Sequence, residues 1–358
     1  MTNKVRRLKM EDIRTAMINH LDNLTKPRGS LGKLETWCVK MAEIQGKVPP
    51  VIRKKGIYVF SGDHGIAAEG VSLYPQEVTR QMILNILSGG AGINALGSGA
   101  GWEINLVDAG TAGGDFPPDA ELKPVCRFIR EKVSAGGSRN FYREAALTKD
   151  EVQRALEKGR QLAADAAERG YDLTALGDLG IGNTSTAAAM LAAAGFNADD
   201  MTDRGTGIDE AMLDHKREVI AEAVKRRRPP KNGEAILEAV GSADFAMMAG
   251  FILGLENKKI ACVLDGFPVT AAAYMAYLIN PGVTGWLFAG HLSRVAGHKP
   301  VLDRMGLDPV VNLDMRLGEG TGAVIGGHIV ELGVLAARNM ASFAQAHVSG
   351  SEKAEEKY

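Results

Sequence analysis

The sequence predicts an α/β protein with a doubly wound, Rossmann-like parallel sheet. Two observations support this fold class: short apolar runs recur along the chain and end at a glycine, and helical segments follow several of them. Apolar runs of about four to eight residues without polar alternation are typical of strands that are buried on both faces. With 358 residues and 45% hydrophobic content, the chain is long enough to bury such a core.

Five segments carry the predicted buried strands. They span residues 56–65, 104–113, 173–190, 259–278 and 284–293. We expect helices over residues 75–87, 184–194 and 268–278, so that strands and helices alternate. In such sheets ligands bind beyond the carboxyl ends of the strands, which is where the glycine-containing turns fall.

The two ends of the chain lack buried-strand patterns. We expect residues 1–50 and 321–345 to form a smaller helical domain beside a large α/β domain over residues 51–320, with a final helix from 321 to about 343. Residues 346–358 are predicted to be a flexible tail because they are rich in polar and charged residues.

The composition favours a protein that acts on small molecules. Lys and Arg total 42 and Asp and Glu total 43, so the net charge of -1 predicts neither a nucleic-acid partner nor an anionic membrane partner. The basic run at 225–233 indicates a solvated connector. Three separated cysteines without CxxC spacing argue against a disulfide framework and against a zinc site. A charged N-terminus without a long apolar run predicts a cytoplasmic protein.

The segment "GIGNTSTAAAM", residues 180–190, is the strongest candidate for a phosphate-binding turn. Gly180 and Gly182 let backbone approach a ligand, and Asn183 or Thr184 can cap a helix whose free N–H groups favour an anion. The alternative is an ordinary strand-to-helix turn. It is not a Walker A loop, and because Ser185 stands where a dinucleotide fingerprint has its third glycine, a mononucleotide is favoured over a dinucleotide.

Two further glycine-rich segments have two interpretations each. Gly205, Thr206 and Gly207 precede a helix on which Lys216 either points back at an anion or lies on a solvated face. Residues 89–101 form either a third anion-binding turn or a close helix contact.

Three other features carry candidate polar groups. Asp63 and His64 end a predicted strand, where a hydrogen-bonded Asp–His pair is the alternative to a ligand role, and no metal site is expected. His291 and His298 flank a loop where one of them could orient a ligand. Glu319 stands between two glycines at the start of the last helix, where it either stabilises the first turn or performs chemistry.

Several separated segments, in order, resemble the nicotinate-nucleotide:5,6-dimethylbenzimidazole phosphoribosyltransferase family, which makes the lower-ligand nucleotide of cobamides. They are residues 25–35, 61–79, 180–189, 204–209, 264–267 ("LDGF") and 315–323 ("MRLGEGTGA"). The resemblance implies transfer of phosphoribose from nicotinate mononucleotide to dimethylbenzimidazole or a related aromatic acceptor, which gives an α-riboside phosphate and nicotinate. It also implies a dimer and requires no metal or cofactor.

The resemblance assigns Glu319 as the general base. Nicotinate leaves readily because its ring nitrogen is quaternary, whereas the acceptor must lose a proton. Apolar neighbours would raise the pKa of Glu319 and the helix dipole would lower it. The expected nucleotide-binding residues are Gly180, Gly182, Asn183, Thr184, Ser185, Gly205, Thr206, Gly207, Lys216, His291, Ser293 and Gly320. The expected acceptor-binding residues are Asp63, Ser72, Tyr74, Gln81, Asp178, Leu179 and Leu317.

Two segments depart from the family pattern. Asp178 stands where the family usually has Glu, and Arg294, Val295 and Ala296 replace the usual Ala-Glu-Pro. The departures keep other hypotheses open: a subunit of a heterodimeric enzyme that acts on phenol or p-cresol, or a non-catalytic partner of an active paralogue. A nicotinamide-dependent dehydrogenase is a weaker alternative, suggested by the glycine turns alone.

Overall fold

A seven-stranded, all-parallel sheet organises the chain in the computed structural model, which describes residues 3–134, 136–205 and 207–349. The strands are β1 (Lys55–Gly62), β2 (Trp102–Gly110), β3 (Arg127–Arg130), β4 (Leu173–Leu179), β5 (Ala261–Leu264), β6 (Leu287–Leu292) and β7 (Pro309–Asn312). Their order is β3-β2-β1-β4-β5-β6-β7, so the direction of winding reverses between β1 and β4. In an open α/β sheet this switch point is the expected place for a ligand.

Helices cover both faces of the sheet. The first seven are α1 (Asn3–Asp22), α2 (Lys33–Gln45), α3 (Glu77–Ser88), α4 (Gly92–Gly99), α5 (Lys149–Glu168), α6 (Asn183–Ala193) and α7 (Ala198–Met201). The others are α8 (Glu210–Arg227), α9 (Gly233–Val240), α10 (Ala243–Gly254), α11 (Phe267–Ile279), α12 (His298–Met305), α13 (Thr321–Asn339) and α14 (Phe343–Ala346). The fold class predicted from sequence is therefore confirmed.

Strand β1 separates two hydrophobic cores. Tyr58 and Phe60 pack into the core on one face, and Ile57 and Val59 pack into the core on the other, because successive side chains of a strand point in opposite directions. All eight residues of β1 are buried. An apolar run without polar alternation is what this two-sided burial requires.

Helix α13 lies close to the backbone of β6. A Cβ atom at Gly326 would come within 2.2 Å of the carbonyl oxygen of Gly290, so only glycine permits this approach. The contact brings the start of α13 to the carboxyl end of the central strands, where a Cβ at Gly177 of β4 would meet the Gly320 nitrogen at 2.5 Å.

The N-terminal helices pack against the C-terminal helix. A Cβ at Gly333 of α13 would lie 2.7 Å from the carbonyl oxygen of Leu34 in α2, and the Thr25 N–H donates to the Ala341 carbonyl at 3.0 Å. Because α13 also covers the sheet, the division into a small and a large domain stays a prediction. Within the described ranges, no helix combines the length and apolar character that crossing a membrane requires.

The predicted elements are largely present, with three differences. All five predicted strands occur, but the short edge strands β3 and β7 were not predicted. The basic run does not form one connector, because Lys225 and the two following arginines belong to the last turn of α8 and only residues 228–232 join α8 to α9. The last long helix ends at Asn339, and most of the predicted tail, residues 350–358, lies outside the described residues.

We expect Gly326→Ala to lower the free energy of unfolding by about 1–3 kcal/mol, the usual cost of overpacking, because its methyl group would enter the backbone of β6. Urea denaturation measures the change. Gly99→Ala is the matched control, since the space beside Gly99 in α4 is open and alanine favours a helix. Equal stability of the two variants would contradict the close contact.

Candidate functional site

A cavity of about 970 Å³ opens at the carboxyl ends of the strands beside the β1/β4 switch point. The structure brings most of the residues predicted from sequence to its wall. These are Ser72, Tyr74, Asp178, Leu179, Gly180, Gly182, Asn183, Thr184, Gly205, Lys216, His291, Ser293, Leu317 and Glu319.

Five predicted residues do not line this cavity. Asp63 lies at the end of β1, where its Oδ2 accepts from the Ala112 N–H at 2.7 Å, and burial raises its pKa. Gln81 is exposed on α3, and Ser185 is buried within α6. Gly207 precedes α8, and Gly320 is the buried residue directly before α13. Thr206 lies outside the described residues.

Glu319 has an unusual backbone conformation. Gly318, Glu319 and Gly320 have successive φ angles of 85°, 60° and 84°, and a left-handed residue other than glycine costs about 1–3 kcal/mol. The Glu319 N–H donates to the Asp178 carbonyl at 3.3 Å, which ties the turn to the end of β4. Strain at a single carboxylate that faces a cavity is typical of a functional site.

The Glu319 carboxylate lies at the N-terminus of a second helix. Its Oε2 accepts from the Ile93 N–H at 3.1 Å, in the first turn of α4, and the side chain is buried. Burial raises the pKa of Glu319, and nearby Asp265 adds to the rise, whereas the amides of Ile93 and Gly92 oppose it. Residues 89–101 thus place backbone amides against the Glu319 carboxyl group, and binding of a ligand anion by this segment stays a prediction.

Asp265, which follows β5, holds the start of α13 in place. Its Oδ2 accepts from the Gly320 N–H at 3.0 Å, and its Oδ1 accepts from the amides of Gly322 at 2.8 Å and Ala323 at 3.1 Å. These are helix-terminal donors that lack partners within the helix. Sequence reasoning did not assign Asp265 to the site, although it ends an apolar run in the segment "LDGF".

Asp178 is a buried carboxyl group in the cavity wall. Burial and the negative charge of Asp265 raise its pKa to about 8, so it carries a proton at neutral pH. The Asn183 side-chain amide donates to Asp178 Oδ2 at 2.5 Å. A protonated carboxyl group can both donate and accept hydrogen bonds, which suits a heteroaromatic ligand.

Lys216 is a buried cationic group in the cavity wall. Its Nζ donates to Thr184 Oγ1 in the first turn of α6 at 3.0 Å and to the Asp203 carbonyl at 3.0 Å. Burial lowers the pKa of Lys216 to about 8. An ammonium group beside a helix N-terminus is a suitable site for a phosphate.

Helix α3 adds wall residues that sequence reasoning missed. Val78 and Met82 are neighbours on one helix face and contribute apolar surface, and Thr79 Oγ1 accepts from the Ile181 N–H at 3.0 Å. The sequence did contain a signal for Val78 and Met82, because apolar residues four positions apart indicate one apolar face of a helix, and this helix follows a predicted strand.

The three histidines near the site make different contacts. His64 does not pair with Asp63: its Nδ1 lies 3.0 Å from Thr186 Oγ1 and its Nε2 lies 3.6 Å from Asp244. His298 accepts from the Ser293 N–H, and burial lowers its pKa to about 3, so it is neutral. His291 faces the cavity with its Nε2 3.4 Å from Asp265. Across the described residues, no group of three or more His, Cys, Asp or Glu side chains is arranged to hold a metal ion.

Comparisons with known proteins give consistent matches. A family model described as phosphoribosyltransferase matches residues 8–348. The nicotinate-nucleotide–dimethylbenzimidazole phosphoribosyltransferase of Citrifermentans bemidjiense is 43% identical over 92% of this chain and 93% of its own length, and that of Geobacter sulfurreducens is 43% identical over 92% of both chains. The crystal structure of CobT from Thermus thermophilus has a TM-score of 0.88 and 40% identity, over 95% of this chain and 100% of that one.

We expect affinity for a mononucleotide, the ligand that the glycine turn before α6 predicts, to fall as pH rises from about 7 to about 9. Lys216 loses its proton near pH 8, and above its pKa binding weakens by up to about tenfold per pH unit, while the phosphate is already a dianion. Titration calorimetry measures this slope. Lys216→Ala should bind weakly and lose the slope, whereas Lys225→Ala, exposed on the same helix, should keep it. A slope that survives in Lys216→Ala would contradict the assignment.

Proposed function

The chain belongs to the nicotinate-nucleotide–dimethylbenzimidazole phosphoribosyltransferase family, and we propose that it transfers phosphoribose from nicotinate mononucleotide to 5,6-dimethylbenzimidazole. The products are nicotinate and an α-riboside phosphate, as lower-ligand synthesis for cobamides requires. The observation that carries the proposal is the pairing, in one cavity, of a buried carboxylate with raised pKa and a buried lysine at a helix N-terminus.

The proposed binding mode places the two substrates at opposite ends of the cavity. The nucleotide phosphate lies at Lys216, Thr184 and the glycine turn that precedes α6. The aromatic acceptor lies against Val78, Met82 and Leu317, within reach of Glu319. The ribose then spans the middle, so that its C1′ faces the acceptor nitrogen.

Glu319 removes the acceptor proton as the new bond forms. One acceptor nitrogen attacks C1′, the bond from C1′ to the nicotinate nitrogen breaks, and the electron pair leaves with nicotinate. The acceptor N–H proton passes to the Glu319 carboxylate. Burial suits Glu319 to this step, because a raised pKa makes the carboxylate a stronger base than an exposed one. Attack opposite the leaving ring inverts C1′ and gives the α product.

The other hypotheses receive less support. The relatives named above are named for dimethylbenzimidazole, so a phenolic acceptor has no support from them. A non-catalytic partner has no need of a strained, buried Glu319. A dehydrogenase is disfavoured because a carboxylate and a lysine occupy the site and the family model is that of a phosphoribosyltransferase. A dimer and a cytoplasmic location remain predictions.

Chromatography of the purified chain with nicotinate mononucleotide tests the proposal. Dimethylbenzimidazole and p-cresol are offered separately, and nicotinate release together with a new riboside phosphate is followed. We expect the product with dimethylbenzimidazole. A product with p-cresol alone would favour the phenolic acceptor, and activity that requires an added paralogue would favour the partner hypothesis.

We expect Glu319→Gln to lower the turnover rate by about 10²–10⁴-fold, the usual contribution of a general base, with little change in nucleotide affinity. In the wild type the rate should fall as pH drops through the raised pKa of Glu319, because the protonated group cannot accept a proton. The exposed Glu218→Gln on α8 is the matched control. Near-normal turnover by Glu319→Gln would refute the base assignment.

A further inference from the structure

Two arginines at the cavity lack side-chain partners. Among the arginines whose side chains the structure describes, every one except Arg294 and Arg316 makes a hydrogen bond, an ion pair or a ring contact. Arg294 and Arg316 both line the cavity and are both exposed, so they form part of its rim.

The backbone holds the two arginines in neighbouring segments. The Arg294 N–H donates to the carbonyl of Met315, the residue before Arg316, at 3.2 Å. The loop after β6 and the loop before α13 are thereby joined at the rim. Asp199, Asp200 and Asp203 also line the cavity, yet none of them lies within ion-pair distance of either guanidinium. The positive charge of this pair is therefore free to meet a ligand.

The phosphate does not account for these two charges. In the proposed binding mode it lies with Lys216 and Thr184, whose polar atoms are in mutual contact at the start of α6. Nicotinate mononucleotide carries a second anion, the carboxylate on its pyridine ring. A guanidinium group matches a carboxylate in shape and in hydrogen-bond geometry.

The chemistry of the reaction also favours a position at the cavity rim for the nicotinate ring, which is the leaving group. Glu319 is buried and holds the acceptor end, and the leaving group must lie on the opposite side of C1′ from the acceptor. The departing nicotinate then has to exit through the open part of the cavity, where Arg294 and Arg316 lie. The apolar surface of Val78 and Met82 suits the uncharged acceptor better than a carboxylate.

We propose that Arg294 and Arg316 form a subsite that binds the ring carboxylate of the nucleotide and makes the enzyme prefer the pyridine acid over the pyridine amide. This inference rests on the proposed function. It also gives a role to Arg294, one of the residues that depart from the family pattern described above. The two positions are specificity determinants and take no part in proton transfer.

Calorimetric affinities for nicotinate mononucleotide and nicotinamide mononucleotide test the subsite without turnover. The proteins are the wild type, Arg294→Ala, the Arg294→Ala/Arg316→Ala double variant, and Arg160→Ala as a partly exposed control on α5. We expect the wild type to prefer the acid, and we expect the double variant to lose roughly tenfold of that preference, as two partly exposed ion pairs allow. Affinity for the amide should change little, and the preference should shrink at high salt.

Each other outcome overturns the subsite. A wild type that binds both nucleotides equally, or that binds neither, has no carboxylate selectivity to explain. Equal losses for acid and amide in the double variant would mean that the arginines contact the phosphate or shape the loop. An unchanged preference would mean that they face solvent. The assay with dimethylbenzimidazole separates this result from the proposed function, because selective binding without transfer rejects only the function, and transfer without selectivity rejects only the subsite.

Discussion

The Asp265 carboxylate is the interaction on which the site depends. It accepts hydrogen bonds from the Gly320 N–H, in the left-handed turn that contains Glu319, and from the Gly322 and Ala323 N–H groups in the first turn of α13. An interaction of this kind offsets the cost of strained backbone, because the turn cannot relax without leaving a buried carboxylate unpaired. Glu319 therefore reaches the cavity from a rigid support formed by β5 and α13.

Burial gives the charged groups of the cavity their properties. The same loss of water raises the pKa of Asp178 and Glu319 and lowers the pKa of Lys216. The carboxylate of Glu319 thereby becomes a stronger base, Asp178 keeps its proton at neutral pH, and the pKa of Lys216 falls to about 8. Asp265 contributes to both acid shifts. A second carboxylate close to the base thus adjusts its strength as well as supporting its backbone.

Much of the architecture could be predicted from the sequence, because strands buried on both faces leave apolar runs that end at glycines. Strand β7 was not predicted because its four residues lie at the sheet edge and are only half-buried or exposed. Strand β3 was not predicted because only its two central residues are buried. For the site, the glycine turns and Glu319 were visible as motifs. Asp265 and Thr79 were not assigned, since their roles depend on partners distant in sequence, such as Gly320 and Ile181.

The contacts that orient Glu319 come from main-chain groups: the Asp178 carbonyl and the Ile93 amide. The wall proposed for the acceptor is made by side chains of α3, including Val78 and Met82. Mutation can alter those side chains without removing a hydrogen bond from the base. Acceptor range and catalytic power can therefore evolve separately in this scaffold, so that a new aromatic acceptor becomes accessible through a few substitutions on one helix.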